Sequence, residues 1–239
     1  LRDRPAGQVR VMHQTWRSLL FLHWEAEAED IRHSLPAGLH VDTFEGRAYL
    51  GLVPFFMRRI RPRFLPPVPG LSYFLETNVR TYVHDENGNP GVWFFSLEAN
   101  QWLAVQIARA FFRLPYHHAT MHASQMELER TIEYETARRG TSQHSRFSYR
   151  GTGPTRTAEP GTLEFFMVER YLLFAELGGG RLASGRVHHP PYRIQHAEVG
   201  AWDDALLRLS GFDTGGRPPD HALCSPGVAV DVFPIRPLD

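Results

Sequence analysis

Lysine is absent from the 239-residue sequence, whose 26 basic positions are all arginine. That removes Schiff-base chemistry on a keto acid, pyridoxal-phosphate attachment and the phosphate-loop lysine from the functions open to this chain. An arginine-rich composition alone accounts for the bias, but the chemical exclusion holds whatever its origin. Cysteine is nearly absent too. Cys224 stands alone, so no internal disulfide can form and no cysteine pair can hold zinc. Neither a basic-apolar-small leader nor a long uninterrupted apolar stretch is visible, and the expected location is a reducing cytoplasm. Net charge is missing as well: 26 acidic residues balance 26 basic ones, with an isoelectric point near 7.4. The footprint of a nucleic-acid or anionic-membrane binder is therefore lacking. The expected partner is a small-molecule ligand, with no nucleic acid and no membrane, and the composition is compatible with a homo-oligomer.

What is present is core material. Hydrophobic residues make up 42% of the chain, with 16 Phe, 8 Tyr and 5 Trp. No internal repeat, low-complexity tract or domain boundary interrupts it, so a single domain over 1–239 is expected. Residues 15–25, with Trp16, Leu19 to Leu22 and Trp24, predict a buried strand. Glu25, Glu27, Glu29 and Asp30 then suit a helix start, with Ile31 and Leu35 on one face and Pro36 and Gly38 as its stop. Strands are predicted over 40–44 and 47–60 around a Glu45-Gly46 turn, the second apolar on both faces. Arg58, Arg59, Arg61 and Arg63 meet Pro62, Pro66, Pro67 and Pro69 in a surface loop with at most an unspecific anion-binding capacity. A hairpin follows: 73–84, a turn through Asp85-Glu86-Asn87-Gly88-Asn89-Pro90, and 92–97. A helix is predicted over 101–113 with Asn100 as N-cap, a core stripe of Leu103, Ile107, Ala110, Phe111 and Leu114, and Pro115 as stop. Residues 117–150 suggest two or three strands and 151–160 a linker. A helix starting at Pro160 carries Leu163, Phe166, Met167 and, one turn on, Arg170 toward the interior. Strands over 171–175 and 181–187, a helix near 203–209 and a strand over 228–233 complete the chain.

The even positions of the first hairpin strand are Phe74, Glu76, Asn78, Arg80, Tyr82 and His84, all on one face. A solvent-facing polar row is the ordinary interpretation. Its partner Val92-Trp93-Phe94-Phe95, however, is apolar on both faces, which implies a doubly covered sheet in which a buried Glu and Arg must be paired or functional. Tyr116 and His117, directly after the helix, offer proton-transfer groups. His118 and His122 have the spacing of metal ligands on a helix, but β-like composition there and the lack of a following Glu argue against it, and no metal is expected. His188-His189-Pro190-Pro191-Tyr192 is a rigid extended segment that either aims imidazoles into a cavity or forms a surface loop. There is no G-x-S-x-G elbow, Gly151-Thr152-Gly153 lacks the rest of a dinucleotide fingerprint, and His221 near Cys224 is a weak hint of a nucleophile.

The combination of Leu-Phe-Leu-His-Trp at 20–24, Glu-Thr-Asn-Val-Arg-Thr-Tyr-Val at 76–83, Pro-Gly-Val-Trp-Phe-Phe-Ser-Leu at 90–97, Leu-Pro-Tyr at 114–116, Glu-Arg-Tyr at 169–171 and Val-His-His-Pro-Pro at 187–191 resembles the YqjF-like family of uncharacterised conserved bacterial proteins, related to acetoacetate decarboxylase. The match spans nearly the whole chain. It implies a mainly β (α+β) fold: a cone-shaped, mostly antiparallel β-barrel with a few flanking helices and an interior pocket. In acetoacetate decarboxylases a helix leads into Phe-Pro-Lys-Lys, whose first lysine forms the Schiff base. The similar helix here leads into Leu-Pro-Tyr-His, placing Tyr116 and His117 where the lysines stand, so imine-dependent decarboxylation is not implied. The acidic residue of the family's Ser-Tyr-x-Glu strand is similar to Glu76, with one extra residue between. The resulting expectation is a pocket for a small carboxylate or carbonyl compound, needing no cofactor. Glu76, Tyr116 and His117 are its acid–base candidates, and Arg80, Tyr82, Arg170, His188 and His189 its ligand-binding candidates. The alternative is a non-catalytic ligand-binding or structural barrel.

Overall fold

The computed structural model describes residues 2–126 and 130–238. The chain opens with β1 (Met12–Ala26), the short helix α1 (Ala28–Arg32), β2 (Leu39–Val41) and the long strand β3 (Ala48–Pro62). The hairpin of β4 (Phe74–Asp85) and β5 (Pro90–Ala99) is turned by Asp85, whose Oδ1 accepts from the Asn87 and Asn89 amides. Helix α2 (Trp102–Phe112) leads to β6 (Tyr116–Met126), β7 (Thr131–Arg138) and β8 (Ser145–Thr157). Then come α3 (Leu163–Val168), β9 (Leu172–Glu176), β10 (Leu182–His188), β11 (Arg193–Ala201), α4 (Ala205–Leu209), β12 (His221–Val232) and the brief β13 (Arg236–Pro237). No described helix is long and apolar enough to cross a membrane.

The sheet is mostly antiparallel, and it forks. One edge of β5 pairs with β4, while the other is divided: Leu97 to Ala99 run parallel to Tyr116 to His118 of β6, and Val92 and Trp93 run parallel to Leu173 and Phe174 of β9. β12 is divided in the same way, with β1 on one edge and, on the other, β11 at Leu223 and Cys224 but β10 at Asp231 and Val232. The strands β5, β4, β3, β1 and β12 therefore form a wall shared by two closed circuits, one completed by β6, β7, β8 and β11 and the other by β9 and β10.

This explains strands that are apolar on both faces. Along β1, Leu19 and Phe21 join one core while Leu20, Leu22 and Trp24 join the other; along β3, Val53, Phe55 and Met57 oppose Leu50 and Leu52. Side chains alternate across a strand, so a wall between two cores must be apolar at nearly every position. Helix α3 plugs the core enclosed by β9 and β10, with Met167 and Val168 buried and Thr162 capping it at the Phe165 amide.

Several local expectations change. The segment 151–157 is the end of β8 rather than a linker, because β11, which the sequence pattern did not reveal, pairs with it. The Gln195 side chain of β11 lies in the space that a side chain at Gly151 would occupy. Helix α2 is capped by Gln101, not Asn100: the Gln101 Oε1 accepts from the Leu103 and Ala104 amides at 2.7 and 3.1 Å, while the Asn100 Oδ1 is held by the Leu75 amide at 2.9 Å. Of the expected core stripe only Leu114, just past the end of α2, is buried; within the helix Val105 is the one buried residue, and Leu103, Ile107 and Phe111 are exposed, Phe111 at 74%. Arg58, Arg59 and Arg61 belong to the end of β3, α1 stops short of Leu35, and β12 begins well before Val228.

Candidate functional site

The core enclosed by β9 and β10 is hollow. A cavity of about 370 Å³ lies there, walled by Met57, Phe74, Leu97, Phe112, Val168 and Val232 among others. Its polar side chains include Glu76 and Arg80 from the even face of β4, Tyr116 from the start of β6, and Arg170. Helix α2 and the proline-rich stretch 62–72 form its lip, tied together by the Gln101 Nε2 donating to the Gly70 carbonyl at 3.0 Å.

Glu76 is buried, and the Tyr116 hydroxyl donates to its Oε2 at 2.9 Å. Burial pushes its carboxyl up to about 8, the Tyr116 hydrogen bond only partly opposing the shift and nearby Glu98 adding to it. The acid is therefore neutral at physiological pH. Burial and the adjoining Glu76 in turn hold the Tyr116 phenol well above its usual range.

Arg80 is half-buried and forms no ion pair among the described residues. One Nη donates to the Met167 carbonyl at 3.2 Å and, weakly, to the Tyr82 hydroxyl at 3.4 Å, and the guanidinium lies over the Phe21 and Tyr82 rings. Its Nε is buried without a hydrogen-bond partner, as is the Asn78 Oδ1 two residues earlier on the same face. Space for this side chain depends on Gly51, where a Cβ would come within 3.2 Å of the Arg80 Cγ.

The remaining candidates fall outside the cavity lining, or have their charge already engaged. Arg170 lines the cavity, but its Nη1 pairs with Asp42 at 2.6 Å and its Nε donates to the Phe166 carbonyl, so its charge is compensated. Tyr82 sits behind Arg80, fully buried, its hydroxyl 2.7 Å from the His23 Nε2. His117 occupies the opposite face of β6 from Tyr116, where burial with Arg138 and Arg109 holds its imidazole down at about 4. It is thus neutral and turned away from the cavity, next to the buried Glu98–Arg138 pair, in which the Arg138 Nε donates to Glu98 at 2.9 Å. His189 is buried behind the cavity wall, stacked on Tyr171 and beside Tyr192, its Nδ1 facing the Pro190 carbonyl; His188 ends β10 outside the lining. His118 and His122 lie on a strand, where four residues span roughly 13 Å, too far to share one ion.

Sequence reasoning missed Asp42, which neutralises Arg170, and the Met167 carbonyl that receives Arg80; neither is near its partner in the chain. His23 carried a signal, since strand alternation places it with Leu19 and Phe21 on the cavity side of β1. Cys224 packs in the other core, where burial pushes its thiol up to about 12, and it is no nucleophile in that state.

The fold is that of acetoacetate decarboxylase-like proteins. The chain is similar to an acetoacetate decarboxylase from Legionella pneumophila subsp. pneumophila str. Philadelphia 1 (TM-score 0.66, 11% identity, 100% of this chain and 90% of that one). It is equally similar to an acetoacetate decarboxylase-like enzyme from Sphingomonas wittichii RW1 (0.65, 12%, 97% and 94%) and to the enduracididine biosynthesis enzyme MppR complexed with pyruvate (0.64, 13%, 99% and 93%). At such identities the likeness shows the fold alone. In sequence, the chain is 37% identical over 196 residues to the uncharacterized protein YqjF of Bacillus subtilis (strain 168), covering 82% of this chain and 79% of the relative. Residues 13–229 match DUF2071, an uncharacterized conserved protein family, and the chain belongs to that family.

Proposed function

We propose that the protein binds a small carboxylate or carbonyl compound in this cavity and acts on it by acid–base chemistry without an imine intermediate. The observation that carries this reading is Arg80: a cation facing an apolar cavity, with a buried Nε that has no partner and no carboxylate paired to it among the described residues. A half-buried guanidinium is costly to leave uncompensated, and an anionic ligand supplies the missing charge through a charge-assisted hydrogen bond. Glu76 is the acid. Held protonated up to about pH 8, it can donate to a carbonyl or enolate oxygen, with Tyr116 orienting the carboxyl through its hydrogen bond. MppR, of the same fold, has been solved with pyruvate, which supports a small acid as the ligand type.

A binding role without turnover is the second reading, favoured by the position of the one cysteine, Cys224, in the other core and away from the cavity. A melting-temperature screen of the native protein and Arg80→Met against keto acids, hydroxy acids and aldehydes tests both. A ligand at about 100 times its Kd adds roughly 2.7 kcal/mol of stability. The expected result is a shift in the native protein that Arg80→Met abolishes. If Glu76→Gln then retains the shift and loses turnover, the protein is an enzyme; if no acid shifts either form, the carboxylate reading fails.

A further inference from the structure

The cavity is polar at one end and apolar at the other, and its polar end is the closed one. Around Arg80 the walls are sealed: Val168 and Tyr192 are 3% and 4% exposed, and the Arg170 side chain is buried in its pair with Asp42. Toward the lip the lining opens, with Leu71, Leu103 and Ile107 each about 40% exposed and Leu65 at 56%. Between the ends, the Tyr116 hydroxyl is spent on Glu76, and the Ser72 hydroxyl is taken by the Val68 amide. From Arg80 to Phe74 along β4 is roughly 20 Å of strand, and Arg80, Glu76 and Phe74 along it all line the cavity. The volume of about 370 Å³ is within the usual range for small-ligand pockets and is lined mostly by apolar side chains. A three-carbon keto acid leaves most of those apolar walls bare.

Building on the acid-binding role proposed above for Arg80, we infer that the ligand is a monocarboxylic acid with an extended apolar tail, its carboxylate against Arg80 at the closed end and its tail running under α2 to the lip at 62–72. The neutral state of Glu76 suits a tail passing beside it, since an ionised carboxylate there would have to be desolvated by an alkyl chain. The apolar residues that α2 turns toward the lip, otherwise unexplained on a helix with one buried side chain, then become the outer wall of the tail channel.

Calorimetric titration of the native protein with butanoate, hexanoate, octanoate, octan-1-ol and pyruvate tests this. Each added methylene is expected to tighten the Kd by about fourfold, making octanoate on the order of two-hundredfold tighter than butanoate. Octan-1-ol should bind at least about tenfold more weakly than octanoate, and Arg80→Met should remove that difference. Ala108→Phe, at a half-buried position where α2 lines the outer part of the cavity away from Arg80, should weaken octanoate at least about tenfold while leaving butanoate unchanged. If butanoate and pyruvate bind through Arg80 but length adds nothing, or Ala108→Phe leaves octanoate binding intact, the tail assignment falls and the small-acid reading stands. If octan-1-ol matches octanoate, the carboxylate contact is wrong. If no acid of any length binds, both readings fall.

Discussion

Glu76 holds its proton because it has been taken out of water, and folding therefore couples to pH at this one residue. Its carboxyl lies at about 8 in the folded protein against an ordinary value of 4.5. Between those limits folding takes up a proton, so this group's contribution to stability falls as pH rises through the window and levels off above about 8. The imidazoles of His23 and His117 are held low and contribute with the opposite sign between their folded values and 6.5, which is why a difference measurement is needed. Glu76→Gln keeps an acceptor for the Tyr116 hydroxyl and removes the titration. Relative to the native protein, the variant is expected to gain on the order of 3 kcal/mol between pH 5 and pH 8, read from urea unfolding at both values. A flat difference would mean that Glu76 is ionised in the folded state and is no acid. At this scale half of the named candidates were placed on the cavity: Glu76, Arg80, Tyr116 and Arg170 line it, whereas Tyr82, His117, His188 and His189 do not. Strand alternation brought Glu76, Arg80 and Tyr82 to one face, and the apolar partner strand showed that face to be covered. The pairing of Tyr116 with His117 failed because neighbours on a strand point to opposite sides, and the free cation could not be told from the paired one because Asp42 and Arg170 are remote in the chain.

Helix α2 has a different task from the one its periodicity suggests. Leu103 and Ile107 have the spacing of a core stripe, yet they line the cavity lip with about 40% exposure. Hydrophobic periodicity records which face is covered but not by what, and a cavity wall reads the same as a packed core. The cap was misplaced for a related reason: Asn100 has the better intrinsic capping chemistry, but the Leu75 amide across the sheet claims its oxygen and the next residue takes over. Strand β11 was missed because its alternation is weak, Ile194 and Ala197 being its only deeply buried apolar residues. Gln101 joins the helix N-terminus to Gly70, so Gln101→Ala is expected to cost about 1 kcal/mol of stability. It should also loosen the lip, with faster amide exchange at Leu103, Ala104 and Leu71 and little change in β4. Unchanged exchange at Leu71 would show that the 62–72 stretch is held by other contacts.

At the scale of the whole molecule, two cores press on opposite faces of one wall, and this bears on how the protein unfolds. Leu20 and Phe21 are neighbours on β1, both essentially buried, one in each core. If the circuits were separable units, cavities cut into the two cores would produce two transitions. The wall is continuous, however, and neither circuit can open without exposing one apolar face of β1 and β3. Loss of either core then removes the cover that makes the other core's strands stable in water, which is the condition for a single cooperative transition. Leu20→Ala is expected to destabilise by about 2–5 kcal/mol and Phe21→Ala by about 3–5 kcal/mol. Each should shift one unfolding transition as a whole, with calorimetric and van't Hoff enthalpies agreeing. Tryptophan fluorescence supplies a probe in each half, Trp16 packing on the cavity side and Trp24 within the other core. Midpoints that separate between variants, or a residual transition in Phe21→Ala belonging to the circuit of β6, β7, β8 and β11 alone, would show that the cavity-bearing half can melt by itself. Its ligand would then stabilise that half only, whereas in a cooperative molecule a ligand at Arg80 protects Trp24 as fully as Trp16.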